Sequence, residues 1–157
     1  MPIKEEFMHA SLALAREALS AGEVPVGCVI VDSEGNVLGR GRNRREEDGD
    51  ATAHAETMAI REACAARGNW RLDDCTLYVT LEPCPMCAGA ILNARISTVV
   101  YGAKESKSGS CGSVVNLFCE NYEFHPKVFG GILEEECAAL LKDFFRRIRN
   151  NESDLKP

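Results

Sequence analysis

Two short segments, His54-Ala55-Glu56 and Pro83-Cys84-Pro85-Met86-Cys87, constrain this chain more than anything else in it. The second reads as the end of a strand, Thr76 to Leu81, running straight into a helix. Two thiols lie one turn apart at that junction, and Pro85 suits the first helical turn. The spacing lets both sulfurs face one point, and the positive end of the helix favours thiolate over thiol. Alone, Cys-x-x-Cys is ambiguous between a zinc site, a redox pair and chance, and a lone histidine is more often structural. The combination is specific: one imidazole, two thiolates and one carboxylate, each segment opening a helix after a strand or hairpin.

The ligand count decides what kind of metal site this is. A closed structural zinc site has four protein ligands, whereas a catalytic one has three and keeps a position for water. His54, Cys84 and Cys87 make three. Cys111, Cys119, His9 and His125 are further donors, but none lies in a ligand-like pair. Glu56 follows His54 by two residues, ~200° around a regular helix. Both approach one ion only if it lies at the helix end, so the N-terminal position of the motif is part of the argument. Zinc lowers the pKa of bound water from ~15.7 to ~7. Glu56 is suited to take that proton, then to return protons to a ring nitrogen and a leaving amine. The chemistry implied is hydrolytic deamination of an amidine-like carbon in a nucleobase.

Around these segments the chain alternates between helical and extended patterns. Phe7, Met8, Leu12, Ala15 and Leu19 recur at helical spacing over about Glu5 to Ala21, with Gly22 as the stop. Val24 to Val31 is β-rich, Asp32 to Asn36 has turn composition, and Val37 to Arg42 is the return strand. The polar run Asn43 to Ala51 reads as a loop. Thr52 is a candidate N-cap for a helix from about Ala53 to Arg67, closed by Gly68. After the strand and the helix of the cysteine segment, which runs to about Ala94, Ile96 to Gly102 is a fourth strand. Ala103 to Gly112 reads as an exposed loop, Val114 to Phe118 as a short helix or turn, and Val128-Phe129 as a fifth strand. Leu133 to Arg149 is a long final helix, with a frayed tail from about residue 150. There is no internal repeat or linker, so residues 1–157 read as one domain, a mixed sheet with helices on both faces.

Bulk properties exclude several classes. With 157 residues, 45% hydrophobic and 27% charged, the chain has the balance of a soluble domain able to bury a core. No apolar run approaches the ~20 residues of a membrane span. The N-terminus lacks a secretory pattern, so a cytoplasmic location is expected. Eight cysteines without an export signal argue against a disulfide scaffold. Cys28, Cys64, Cys75 and Cys137 fit as small buried hydrophobes; Cys111 and Cys119 are open to being free surface thiols. A net charge of −6 argues against broad nucleic-acid binding, but leaves room for a local basic patch at Lys142, Arg146, Arg147 and Arg149.

His54-Ala55-Glu56 with Pro83-Cys84-Pro85-Met86-Cys87 is the signature of the zinc nucleobase deaminases, tRNA adenosine deaminases among them. The resemblance extends to Glu23-Val24-Pro25-Val26-Gly27, Gly41-Arg42-Asn43-Arg44, Leu81 to Ala90, Val99-Val100-Tyr101-Gly102-Ala103 and Leu133 to Leu140. Over roughly residues 5 to 149 the chain is similar to the bacterial tRNA-specific adenosine deaminases of the cytidine/deoxycytidylate deaminase superfamily. That resemblance implies a three-layer α-β-α sandwich around a five-stranded mixed sheet, one Zn2+ per subunit, a homodimer, and conversion of adenosine to inosine at the wobble position of a tRNA anticodon stem-loop. It makes His54, Cys84 and Cys87 ligands and Glu56 the proton shuttle. By the same resemblance Val26 would pack on the flipped base and Asn43 would hydrogen-bond it, while the backbone near Ala55 and Pro83 would orient base and leaving group. The relatives usually carry Asp where this chain has Glu105, one methylene longer, beside the sugar of the target nucleotide. Phe144 to Arg149 resembles a final helix that lies against RNA, so Lys107, Arg146, Arg147 and Arg149 are expected at phosphates.

Two other functions share these residues. A guanine, cytosine or free-nucleoside deaminase would use the same catalytic cluster; the loop after Ala103 and the basic last helix favour an RNA substrate. A non-catalytic zinc-stabilised RNA-binding subunit would not need Glu56, which is present.

Overall fold

The computed structural model describes residues 2–154. Five strands form one sheet in the order β2-β1-β3-β4-β5. They are β1 (Gly27–Val31), β2 (Val37–Arg42), β3 (Thr76–Leu81), β4 (Thr98–Ala103) and β5 (Lys127–Phe129). β1 pairs antiparallel with both β2 and β3, while β3, β4 and β5 run parallel. The sheet is therefore mixed, and β2 points the same way as β3.

β1 is buried along its whole length, and its alternation sorts the core into two layers. Cys28 and Ile30 face a cluster built with Ala55, Ala59 and Ala63 of α3 (Ala55–Arg67) and Ala88 and Ile91 of α4 (Pro85–Ala94). Val29 and Val31 face Phe7, Met8 and Leu12 of α1 (Glu5–Ser20) and Cys137 of α5 (Glu134–Asp154). This is the expected three-layer α-β-α arrangement. α5 continues five residues past its expected end at Arg149, and the rest of the expected frayed tail, 155–157, lies outside the described residues.

Topology brings the site together. α3 connects β2 to the parallel β3, and α4 connects β3 to the parallel β4. Two crossovers on one face of a sheet start their helices at the same end, beyond the carboxyl ends of the strands. α3 seats unusually close to β2. Any Cβ at Gly39 would collide with the Ala59 carbonyl oxygen, and any at Gly41 with that of Ala55.

Several boundaries differ from the sequence reading. β1 begins at Gly27 rather than Val24. α3 starts at Ala55, with His54 in the extended cap position (φ −82°, ψ 159°), because the Thr52 hydroxyl turns back to Asp50 instead of capping. The Asn43–Ala51 loop contains a short helix, α2 (Arg45–Asp48). Its cap is remote: the buried Glu23 carboxylate accepts the N–H groups of Glu46 and Glu47, each at 2.8 Å. Arg42 pairs with Glu47, and Arg44 with Glu47 and Asp48, which fastens the same turn. The loop after Ala103 is only partly exposed, since Ser110 and Cys111 are buried. Cys28, Cys75 and Cys137 are buried as expected, Cys64 is half-buried, and Cys119 is exposed. Leu117–Cys119 forms a short 3-10 turn.

Candidate active site and metal centre

His54 and Cys84 hold the same position in their elements: each is the extended residue just before a helix, α3 and α4 respectively. Pro85 follows Cys84 at the start of α4, where its missing N–H costs nothing. Cys87, one turn on, is buried. The donor atoms of His54, Cys84 and Cys87 lie within 4.8 Å of one another. Both sulfurs sit 3.6 Å from His54 Nδ1. Zn–S and Zn–N bonds of about 2.3 and 2.05 Å at a tetrahedral angle separate S and N by about 3.6 Å. The three donors thus form one face of a zinc tetrahedron, and a borderline-soft set of two thiolates and one imidazole selects zinc over hard cations.

Electrostatics agrees with that use. A hydrogen bond from Cys87, reinforced by His54, holds the Cys84 thiol far below its ordinary range, down to about 4. The same hydrogen bond, together with burial, pushes the Cys87 thiol far up. Its contact with Cys84 raises His54. Glu56, the second residue of α3, is 4% exposed. Burial, with the Cys84 thiolate adding to it, pushes its carboxyl up to about 7. A carboxyl poised there is suited to both taking and giving protons.

The cluster opens into a cavity of about 230 Å³. Val26, Asn43, His54, Ala55, Glu56, Cys84, Glu105 and Ser108 are among the residues that line it. Four of the five residues expected at the substrate therefore meet there. Pro83 is not among the lining residues; its carbonyl accepts the Ser110 N–H at 2.9 Å. The Asn43 side chain is held by the backbone, donating to the Val24 carbonyl (3.3 Å) and accepting from the Arg45 N–H (3.1 Å).

The basic residues divide. Arg146 and Arg147 both pair with Asp143 on the exposed face of α5. Lys107 joins Lys142 and Arg149 around a neighbouring cleft of about 420 Å³, whose apolar lining is Leu141, Phe145 and Ile148. Phe145 also reaches the main cavity. Sequence reasoning missed this bridging role, although an exposed phenylalanine within a basic stretch was a signal for it.

The profile described as "Cytidine and deoxycytidylate deaminase zinc-binding region" matches residues 1–103. The tRNA-specific adenosine deaminase of Bacillus subtilis is 45% identical over 149 residues, 94% of this chain and 92% of that protein. A tRNA(Ile)-lysidine synthase of Deinococcus radiodurans is 49% identical over 147 residues, and this chain spans 25% of that longer protein. A solved structure from studies of A-to-I editing by tRNA:A34 deaminases has a TM-score of 0.84 and 46% identity, covering 88% of this chain and 100% of that one. No helix among the described residues is long and apolar enough to cross a membrane. With the metal-ligand triad, the buried Glu56 and likeness across nearly its whole length, the chain belongs to the zinc-binding cytidine and deoxycytidylate deaminase family and, within it, to the tRNA-specific adenosine deaminases.

Proposed function

We propose that this protein hydrolyses adenosine to inosine at the wobble position of a tRNA anticodon, with one zinc ion per subunit. The observation that carries the reading is the buried Glu56 beside three donors on one tetrahedral face, lining a cavity sized for a single base. At about 230 Å³ the cavity is smaller than the ~300–1,000 Å³ of drug-sized sites, which suits a base extruded from an RNA strand.

His54, Cys84 and Cys87 hold the ion, which when bound supplies an acidified water. Glu56 takes a proton from the attacking water, then passes protons to the purine ring nitrogen and the departing amine; adenosine and water become inosine and ammonia. Val26 forms an apolar wall against the base. Asn43 presents its amide to the purine edge, and the backbone at Ala55 and Pro83 orients the base and leaving group. Glu105 lies by the sugar. Lys107 and Arg149, with Arg146 and Arg147 on the outer face, neutralise phosphates of the anticodon stem-loop, and Phe145 offers a stacking surface between the two clefts. The enzyme acts as a homodimer in the cytoplasm, with residues 1–157 as one deaminase domain.

The test is to incubate zinc-loaded protein with an anticodon stem-loop carrying a wobble adenosine, and separately with guanine, cytosine, adenosine and cytidine, and to identify products by mass spectrometry. Inosine in the RNA alone is expected. Turnover of guanine alone would overturn the reading, and a monomer in sedimentation would remove the dimer.

A further inference from the structure

Glu82 is a second buried carboxylate near the site, 2% exposed, and the deamination steps do not use it. It stands between the end of β3 and the metal-ligand segment, two residues before Cys84. Its oxygens are saturated by one loop. Oε1 accepts the Glu105 N–H at 3.1 Å and the Ser113 hydroxyl. Oε2 accepts the N–H groups of Cys111 (3.0 Å) and Ser113 (3.1 Å). The loop wraps so closely that any side chain at Gly109 would collide with the carboxylate. Next along the chain, the Pro83 carbonyl takes the Ser110 N–H. Between these anchors, the loop presents Glu105 and Ser108 to the cavity and Lys107 to the cleft beside it.

We infer that Glu82 is a positioning residue for substrate: it fixes the 104–113 wall relative to the metal ligands and so sets recognition of the nucleotides around the reacting base. Four donors converge on one ionised group, and each such bond is worth roughly twice a neutral one. An amide in its place has one acceptor oxygen and turns an NH2 toward N–H groups that need acceptors. The wall then loosens, whereas His54 and Glu56 at the start of α3, and Cys84 and Cys87 at the start of α4, keep their places.

This rests on the RNA deaminase reading, so the experiment has one arm that does not depend on it. Glu82→Gln, Glu82→Asp and Ser113→Ala are compared with wild type for zinc content, for hydrogen exchange of the Cys111 and Ser113 amides, and for kcat and KM on the anticodon stem-loop. For Glu82→Gln, zinc stays at one per chain, the two amides exchange at least about tenfold faster, and KM rises about tenfold or more with kcat changed far less. Glu82→Asp restores the charge and recovers part of the KM. Ser113→Ala, which removes one donor and leaves the carboxylate, gives a smaller KM rise and answers the question if Glu82→Gln does not fold. Unchanged amide exchange and KM in all three variants overturn the inference. So does a loss confined to kcat or accompanied by loss of zinc, which would place Glu82 in the service of the metal. If no protein, wild type included, converts the RNA, the substrate reading fails while amide exchange still decides the role of Glu82.

Discussion

His54 Nδ1 and Cys84 Sγ lie 3.6 Å apart although 30 residues separate them in the chain. Each precedes a helix, and both helices begin at one end of the sheet because each is itself the crossover between two strands that run the same way. The metal centre is thus a consequence of topology before it is one of side-chain chemistry.

Glu56→Gln is expected to bind zinc at full occupancy, since the ligand triad is untouched, and to lose about 10²–10⁴-fold or more in kcat, the range for a removed general acid–base group. Metal analysis and single-turnover deamination of the stem-loop check it. Retained activity would remove Glu56 from the proton-shuttling role.

Zinc binding is expected to release protons. The Cys87 thiol is raised far above its usual range by its hydrogen bond to Cys84 and by burial, so at neutral pH it carries a proton that the metal must displace. The Glu56 carboxyl, at about 7, is partly protonated there and loses its proton beside the cation. Metal competes with protons, so apparent affinity falls as pH falls. Calorimetric titration in buffers of different ionisation enthalpy should show release of at least one proton; identical heats in all buffers would contradict it.

Gly41→Ala is expected to destabilise the fold by about 3 kcal/mol, the upper end for overpacking, because its Cβ meets the Ala55 backbone and not a movable side chain. Denaturant midpoints measure this. Gly89, with open space around its Cβ position on α4, is the control: Gly89→Ala should be neutral or stabilising by up to ~1 kcal/mol.

Asp74 closes the turn after α3 by pairing with Arg67, whose guanidinium holds it down to about 2 from 3.8. A depressed carboxyl stabilises the fold above its unfolded pKa. That contribution is lost as pH falls from about 4 through about 2. Because the Asp74 side chain is 42% exposed, the amount is well under ~1 kcal/mol. The stability difference between wild type and Asp74→Asn should be present at pH 6 and mostly lost by pH 2; a difference constant across that range would exclude the pairing.

The metal triad and Glu56 were legible because both segments encode their geometry locally, in the spacing of two cysteines over one turn and in a histidine at a helix start. The three-layer fold was legible from the alternation of patterns. What escaped was held by remote groups. α2 gives no periodic signal in four residues, and its cap comes from Glu23, more than twenty residues upstream. The burial of Cys111 follows from Glu82, whose appeal to loop amides cannot be read from Lys-, Ser- and Gly-rich composition. His54, placed within the first turn by analogy with ordinary caps, stands outside the helix because Thr52 finds Asp50 first.

The glycines of β2 have a consequence for the geometry of the cavity. Gly41 lets the start of α3 rest on the strand, and Asn43 follows directly on the strand's last residue, Arg42. Glu56 and Asn43 are therefore measured from one datum, the contact of Ala55 with Gly41. Drift of the helix relative to the strand would change the spacing between the Glu56 carboxyl and the Asn43 amide, both of which line the cavity.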